Sequence, residues 1–177
     1  MPGLYQRFLE SAERWPQNVA LEMQRAASRE SHTYAEVRRM AESVGRWLEE
    51  SGVARGSRCV VLAQNRPRWV AAYLGAEAAG MVAVPFDTAF KADQIGRLLR
   101  DCGAYVVFTD RKNLDLAQRA GEGLQLRMVL LEGEEAGLPS LDSIFAAGPG
   151  NFRPAETKLE DLAVILYTSG TTAEPQG

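Results

Sequence analysis

Between Thr33 and Gly52 the apolar residues Val37, Ala41, Val44 and Leu48 recur at helical spacing. Glu36, Arg38, Arg39, Glu42, Arg46, Glu49 and Glu50 take other positions, so the pattern predicts a helix with one buried stripe and one wet face. Thr33 and Glu36 stand in the S/T-x-x-E arrangement of a capping box, in which side chains satisfy the free amides of a helix start, and Gly52 predicts the stop. Charges of both signs on the polar side read as a solvated face rather than a partner surface.

A different pattern follows. Cys59–Ala63, Met81–Val84, Ala104–Phe108, Met128–Leu131 and Leu162–Tyr167 are short unbroken apolar runs, the mark of strands covered on both faces. Segments of helical character separate most of them, one opening near Pro67 and closing at Gly80, the next closing at Gly103. This alternation predicts an α/β fold, a largely parallel sheet flanked by helices. The stretch Glu132–Glu160, rich in Gly and Pro around the apolar piece Leu141–Ala147, reads as a surface connection and not a domain boundary. With 177 residues, 46% of them hydrophobic, the chain is long enough to bury a core and fits one domain.

Charge and cysteine content narrow the partners. Lys and Arg total 20 against 23 for Asp and Glu, a net charge of −3, which offers no electrostatic footprint for nucleic acid or an anionic membrane. Cys59 and Cys102 lie far apart and His32 is the single histidine, so neither metal-ligand spacing nor a disulfide framework is present, and a reducing cytoplasm fits best. None of the three has a sequence partner that would activate it; they read as a loop histidine and two packed thiols, and no catalytic residue or metal ligand is assigned. Met1–Gln6 lacks a secretion signal, and Val70–Phe86, interrupted by Glu77, Gly80 and Pro85, is too short to cross a bilayer.

The chemistry concentrates at the end, where the last apolar run gives way to Thr168, Ser169, Gly170, Thr171, Thr172, Ala173, Glu174, Pro175, Gln176 and Gly177. Small hydroxyl residues and glycines can present several donors and backbone amides to the acceptor oxygens of a polyphosphate. A loop following a strand of an open α/β sheet also lies where such sheets bind ligands, beyond the carboxyl ends of the strands. Neither G-x-x-x-x-G-K-[ST] nor G-x-G-x-x-G occurs, so this is a phosphate loop of another kind. The plain alternative is a polar turn after an edge strand.

Leu159 to Thr172 resembles the signature of the adenylate-forming enzymes, which include acyl-CoA synthetases, luciferases and peptide-synthetase adenylation domains. That pattern, Tyr-Thr-Ser-Gly-Thr-Thr-Gly-x-Pro-Lys-Gly, is matched at Tyr167 through Thr172, Pro175 and Gly177, with Ala173 in place of Gly and Gln176 in place of Lys. The resemblance continues upstream in His32–Val37 and Gly52–Val60, which look like the family's helix start and the turn after it. Asn65–Trp69, Ala79–Gly80 and Val84–Pro85 are similar to the form seen in long-chain fatty acyl-CoA ligases.

The resemblance implies that residues 1–177 are the first part of the N-terminal AMP-binding domain, the large domain of an acyl-CoA-synthetase-like fold, ending inside the phosphate-binding loop. The rest of that domain and a C-terminal domain would lie beyond Gly177, so the chain alone is expected to be inactive. The implied reaction joins a small carboxylate, a fatty acid on the hint from Asn65–Trp69, to ATP with Mg²⁺, and passes the acyl group from the adenylate to CoA. Thr168, Ser169, Gly170, Thr171, Thr172, Gln176 and Gly177 are the implied nucleotide-binding residues. Gln176 exchanges a cation that could pair with phosphate for a neutral amide. Other readings stay open: a non-catalytic nucleotide-binding or assembly homologue with a degraded loop, self-association through an exposed edge, and peripheral membrane contact to collect a lipid substrate.

Overall fold

The computed structural model describes residues 3–24, 26, 28–158, 160–169 and 175–176. Helix α1 (Leu4–Arg14) leads into an antiparallel hairpin of β1 (Val19–Gln24) and β2 (Arg29–Thr33), and then into the long helix α2 (Tyr34–Glu50). The chain continues through β3 (Arg58–Leu62), α3 (Pro67–Ala78), β4 (Val82–Pro85), α4 (Ala92–Asp101), β5 (Ala104–Thr109), α5 (Leu114–Ala120), β6 (Arg127–Leu130) and α6 (Leu141–Ala147). Two short strands, β7 (Thr168–Ser169) and β8 (Pro175–Gln176), close it.

Local chemistry sets the helix limits. Thr33 Oγ1 accepts the Glu36 amide at 3.3 Å and the Thr33 amide donates to Glu36 Oε2 at 2.7 Å, the reciprocal pair of a capping box. Those bonds to Thr33 hold the Glu36 carboxyl below its ordinary range. The helix stops where Gly52 adopts φ +72°, a left-handed turn open to glycine at little cost. Pro67 opens α3 at its first turn, where its missing N–H loses nothing.

The strands β3 to β6 form one parallel sheet in the order β4-β3-β5-β6, with Val60 opposite both Val84 and Val107. Strand β3 lies in the middle, and Cys59, Val60, Val61 and Leu62 are fully buried. Cys59 and Val61 join the core beneath α2, α3 and α6, whereas Val60 and Leu62 join the core beneath α4 and α5. A third cluster, of Tyr5, Val37, Ala41, Leu74 and Ala78, packs α1 onto the outer side of α2 and α3.

Three expectations are corrected. The segment Leu162–Tyr167 is not a strand covered on both faces: it forms a single parallel bridge, Val164 to Ala83, and Leu162 and Leu166 are more than half exposed. Among the described residues β4 is its one strand neighbour, while Ile165 and Tyr167 pack against the core beneath α4. The stretch Glu132–Glu160 is more than a surface connection, because Leu141 and Ile144 of α6 enter the core with β5 and β6. His32 lies in β2 opposite Leu21, not in a loop. The elements α1, β1 and β2 were outside the sequence reading altogether.

Helices α2 and α3 approach each other closely. A Cβ on Gly75 would stand 2.5 Å from Val44 Cβ and 2.7 Å from the Ala41 carbonyl oxygen, distances that backbone cannot yield without moving a helix. Gly75→Ala is therefore expected to destabilise the fold by about 2–3 kcal/mol, read as a lowered denaturation midpoint with unchanged slope. An unchanged midpoint would show that the two helices are free to separate.

Candidate functional site

Chain order creates the site before any side chain does. The chain leaves β3 for β4 on one side and returns to β5 on the other, so the loops after β3 and β5 diverge at the carboxyl edge of the sheet. Open α/β sheets bind ligands at such a switch of direction. Here the crevice is stitched by the chain itself. Asp110, 3% exposed, accepts the Gln64 amide on Oδ2 at 3.1 Å and the Asn113 amide and side-chain nitrogen on Oδ1 at 3.0 and 2.8 Å. Thr109 Oγ1 donates to the Leu62 carbonyl at 2.9 Å. These bonds fix where the two loops part.

Beside the stitch, at the ends of β3 and β4, lies a cavity of about 400 Å³ lined by Ala63, Gln64, Asn65, Phe86, Asp87 and Thr88. The Ala83 amide donates to the Ala163 carbonyl at 2.9 Å and the Ile165 amide to the Ala83 carbonyl at 3.0 Å, which carries residues 163–165 along the outer side of β4 in the same direction. Three residues beyond each bridge partner, Tyr167 meets Phe86 edge to face with ring centres 5.8 Å apart. The phosphate-loop candidate thus leaves the sheet at its carboxyl edge, next to this cavity.

Of the implied nucleotide-binding residues, the structure describes three by backbone. Thr168 pairs with Gln176, and Ser169 with Pro175, in an antiparallel two-residue ladder, so the loop doubles back on itself and brings Gln176 beside its first hydroxyl residue. Thr168 is exposed. Gly170, Thr171, Thr172 and Gly177 lie outside the described residues, as does Ala173. No group of three His, Cys, Asp or Glu that could hold a metal occurs among the described residues. No helix among the described residues is long and apolar enough to cross a membrane.

The thiols are packed: burial pushes Cys59 up to about 12 and Cys102 up to about 11, too high for either to act as a nucleophile at neutral pH. The stretch Asn65–Trp69 is held by structural contacts. Arg66 pairs with Glu132, Arg68 bonds Asp142 at 2.6 Å and the Leu131 carbonyl at 2.8 Å, and Trp69 stacks on Tyr73. These tie the start of α3 to the end of β6 and the start of α6. Sequence reasoning missed Asp110. Only the sequence position of Asp110, two residues after the apolar run Ala104–Phe108, could have drawn attention to it.

A larger cavity, of about 630 Å³, opens at the opposite edge of the sheet among Arg58, Glu77, Met81, Val82 and Ala163. Glu77 is 8% exposed, and its Oε1 has no hydrogen-bond partner among the described residues. Burial raises its carboxyl to about 7, against the opposing bond from Tyr73. The raised value means the folded state prefers the neutral acid. Stability from this group is complete below about pH 4.5, falls as the unfolded chain ionises, and levels off above about pH 7. Glu77→Gln is expected to remove that slope and to stabilise the protein at pH 8 by roughly 1–2 kcal/mol, less than the full shift because water reaches the cavity. Denaturation midpoints at pH 5 and pH 8 check it; a variant with the parent slope would contradict the assignment.

The family model described as AMP-binding enzyme matches residues 8–177. The chain is 32% identical over 149 residues to the 3-hydroxybenzoate–CoA ligase of Aromatoleum sp. (strain CIB), covering 82% of this chain and 28% of that protein. It is 30% identical to tyrocidine synthase 3 of Brevibacillus parabrevis over 98% of this chain and 2% of that protein. Among solved structures, an anthranilate CoA ligase in complex with anthranoyl-AMP superposes with a TM-score of 0.87 at 26% identity, over 97% of this chain and 33% of that one. The chain therefore spans a third or less of these relatives' length.

Proposed function

Because this chain belongs to the AMP-binding enzyme family, we propose that it supplies the phosphate-loop part of a ligase that activates a carboxylic acid with ATP and passes it to CoA. The observation that carries the reading is the placement of Thr168 and Gln176: they close a short ladder where the outermost parallel segment leaves the carboxyl edge of the sheet. In the reaction, a carboxylate oxygen attacks the α-phosphorus of ATP, the bond to the β-phosphate breaks and pyrophosphate leaves. The CoA thiol then attacks the acyl carbon, forming a thioester as AMP departs.

The work assigned to this chain is positioning and charge placement. Hydroxyls of Thr168, Ser169, Thr171 and Thr172 donate to oxygens of the β- and γ-phosphates, and Gly170 and Gly177 let the main chain come close. Gln176 contributes an amide donor where a cation would give a stronger, charge-assisted bond. Mg²⁺ arrives with the nucleotide. On the acid itself, the relatives point in more than one direction: two, at 32% and 26% identity, are named for 3-hydroxybenzoate and anthranilate, and a third, at 30%, is tyrocidine synthase 3. The fatty-acid reading rests on Asn65–Trp69, whose side chains make the structural contacts described above. A panel of aryl and fatty acids is the discriminating substrate set.

The second reading, a homologue that binds nucleotide without turnover, is favoured by Gln176 itself. Both are tested by ATP–pyrophosphate exchange in the full-length protein with that acid panel. Exchange with any acid is expected, and nucleotide binding with no exchange would select the second reading. Residues 1–177 alone are expected to give background exchange. In the full-length protein Gln176→Lys is expected to tighten Mg·ATP binding by about tenfold, as one added charge-assisted contact would. Unchanged affinity in calorimetry would place residue 176 away from the phosphates.

A further inference from the structure

One directed contact holds the root of the loop. Tyr167 is the residue immediately before Thr168, and its hydroxyl donates to Asp101 Oδ2 at 2.5 Å, the carboxylate of the last residue of α4. On one side its ring lies against Phe86; its chain neighbour Leu166 stands out in solvent. Burial, with Asp101 adding to it, holds the phenol in its protonated form, the form able to donate.

The segment needs such a strut. The bridge through Val164 fixes it to β4 only as far as Ile165, and two-residue ladders such as Thr168–Gln176 do not hold an orientation by themselves. Hydrogen bonds to a carboxylate are shorter and stronger than neutral ones, so the Tyr167–Asp101 contact can set a direction that the ladder cannot. Donors act on a polyphosphate only if held close to the right geometry, which requires a supporting contact behind them.

Resting on the adenylate-forming reading, we propose that Asp101 is a positioning residue for the phosphate loop, acting through Tyr167. It fixes the angle at which Thr168 and Ser169 leave the sheet against Gln176 and Pro175, and with it the approach of the Thr168 and Gln176 donors to the β- and γ-phosphates. Asp101 touches no substrate; its effect is confined to ligands that carry those phosphates.

Calorimetry on the full-length protein with Mg·ATP and with AMP tests the proposal. Tyr167→Phe, which keeps the ring and its packing, and Asp101→Ala are each expected to weaken ATP binding by about tenfold while AMP changes by less than about twofold. The double variant is expected to be no weaker than either single one, and Asp101→Asn, which keeps an acceptor oxygen, to recover most of the loss. Unchanged ATP affinity in both single variants would overturn the positioning role and leave the nucleotide reading intact. Equal losses for ATP and AMP would make the contact structural only. A folded wild-type protein that binds no ATP would sink both.

Discussion

Strand β3 has no face to give to water. Four of its five residues, Cys59 to Leu62, are fully buried, so each of those side chains must meet a helix and each backbone group must find a neighbouring strand. Parallel neighbours supply the backbone bonds, and parallel connections need crossover helices, which then cover the two faces. The order β4-β3-β5-β6, with α2, α3 and α6 beneath one face and α4 and α5 beneath the other, follows from that single requirement. The close fit of α2 on α3 at Gly75 is one of its consequences, because α3 is buried between the sheet and a second layer of helix.

The same arrangement separates structure from chemistry. At the carboxyl edge, Asp110 and Thr109 use their polar groups to hold the diverging loops, which leaves the outer side of β4 as the place where a ligand loop can emerge. Tyr167 stands at that boundary. Its ring belongs to the packed core through Phe86, its hydroxyl to the end of α4, and its next neighbour in the chain to the hydroxyl loop. The opposite edge carries the larger cavity and a buried acid, Glu77, that prefers to be neutral. The larger cavity and the hydroxyl loop thus lie at opposite edges of the sheet.

Much of this was legible in the residues. The helix from the Thr33 cap to the Gly52 stop, the apolar runs of β3 to β6, and the helix opened by Pro67 are set by contacts within a few positions of the chain, and local pattern reports them. Leu162–Tyr167 misled because an apolar run says that a segment can be covered, not that a neighbour is there to cover it. The polar alternation of β1 and β2 was too weak to show through, since both strands lie on the surface and their register depends on each other. The hydroxyl loop was recognisable by composition and by resemblance, yet the pairing of Thr168 with Gln176 required the chain to be folded back.

By itself the sequence determined the class of fold, the parallel sheet, and the caps and stops, because these depend on periodicity and on residue types at short spacing. Tertiary structure alone decided which strand lies in the middle, that Glu77 is buried without a full set of partners, that Asp110 closes the switch point, and that Asp101 reaches Tyr167 across 66 positions. Each of those depends on groups distant in the chain meeting at hydrogen-bond range, and local spacing holds no record of such meetings.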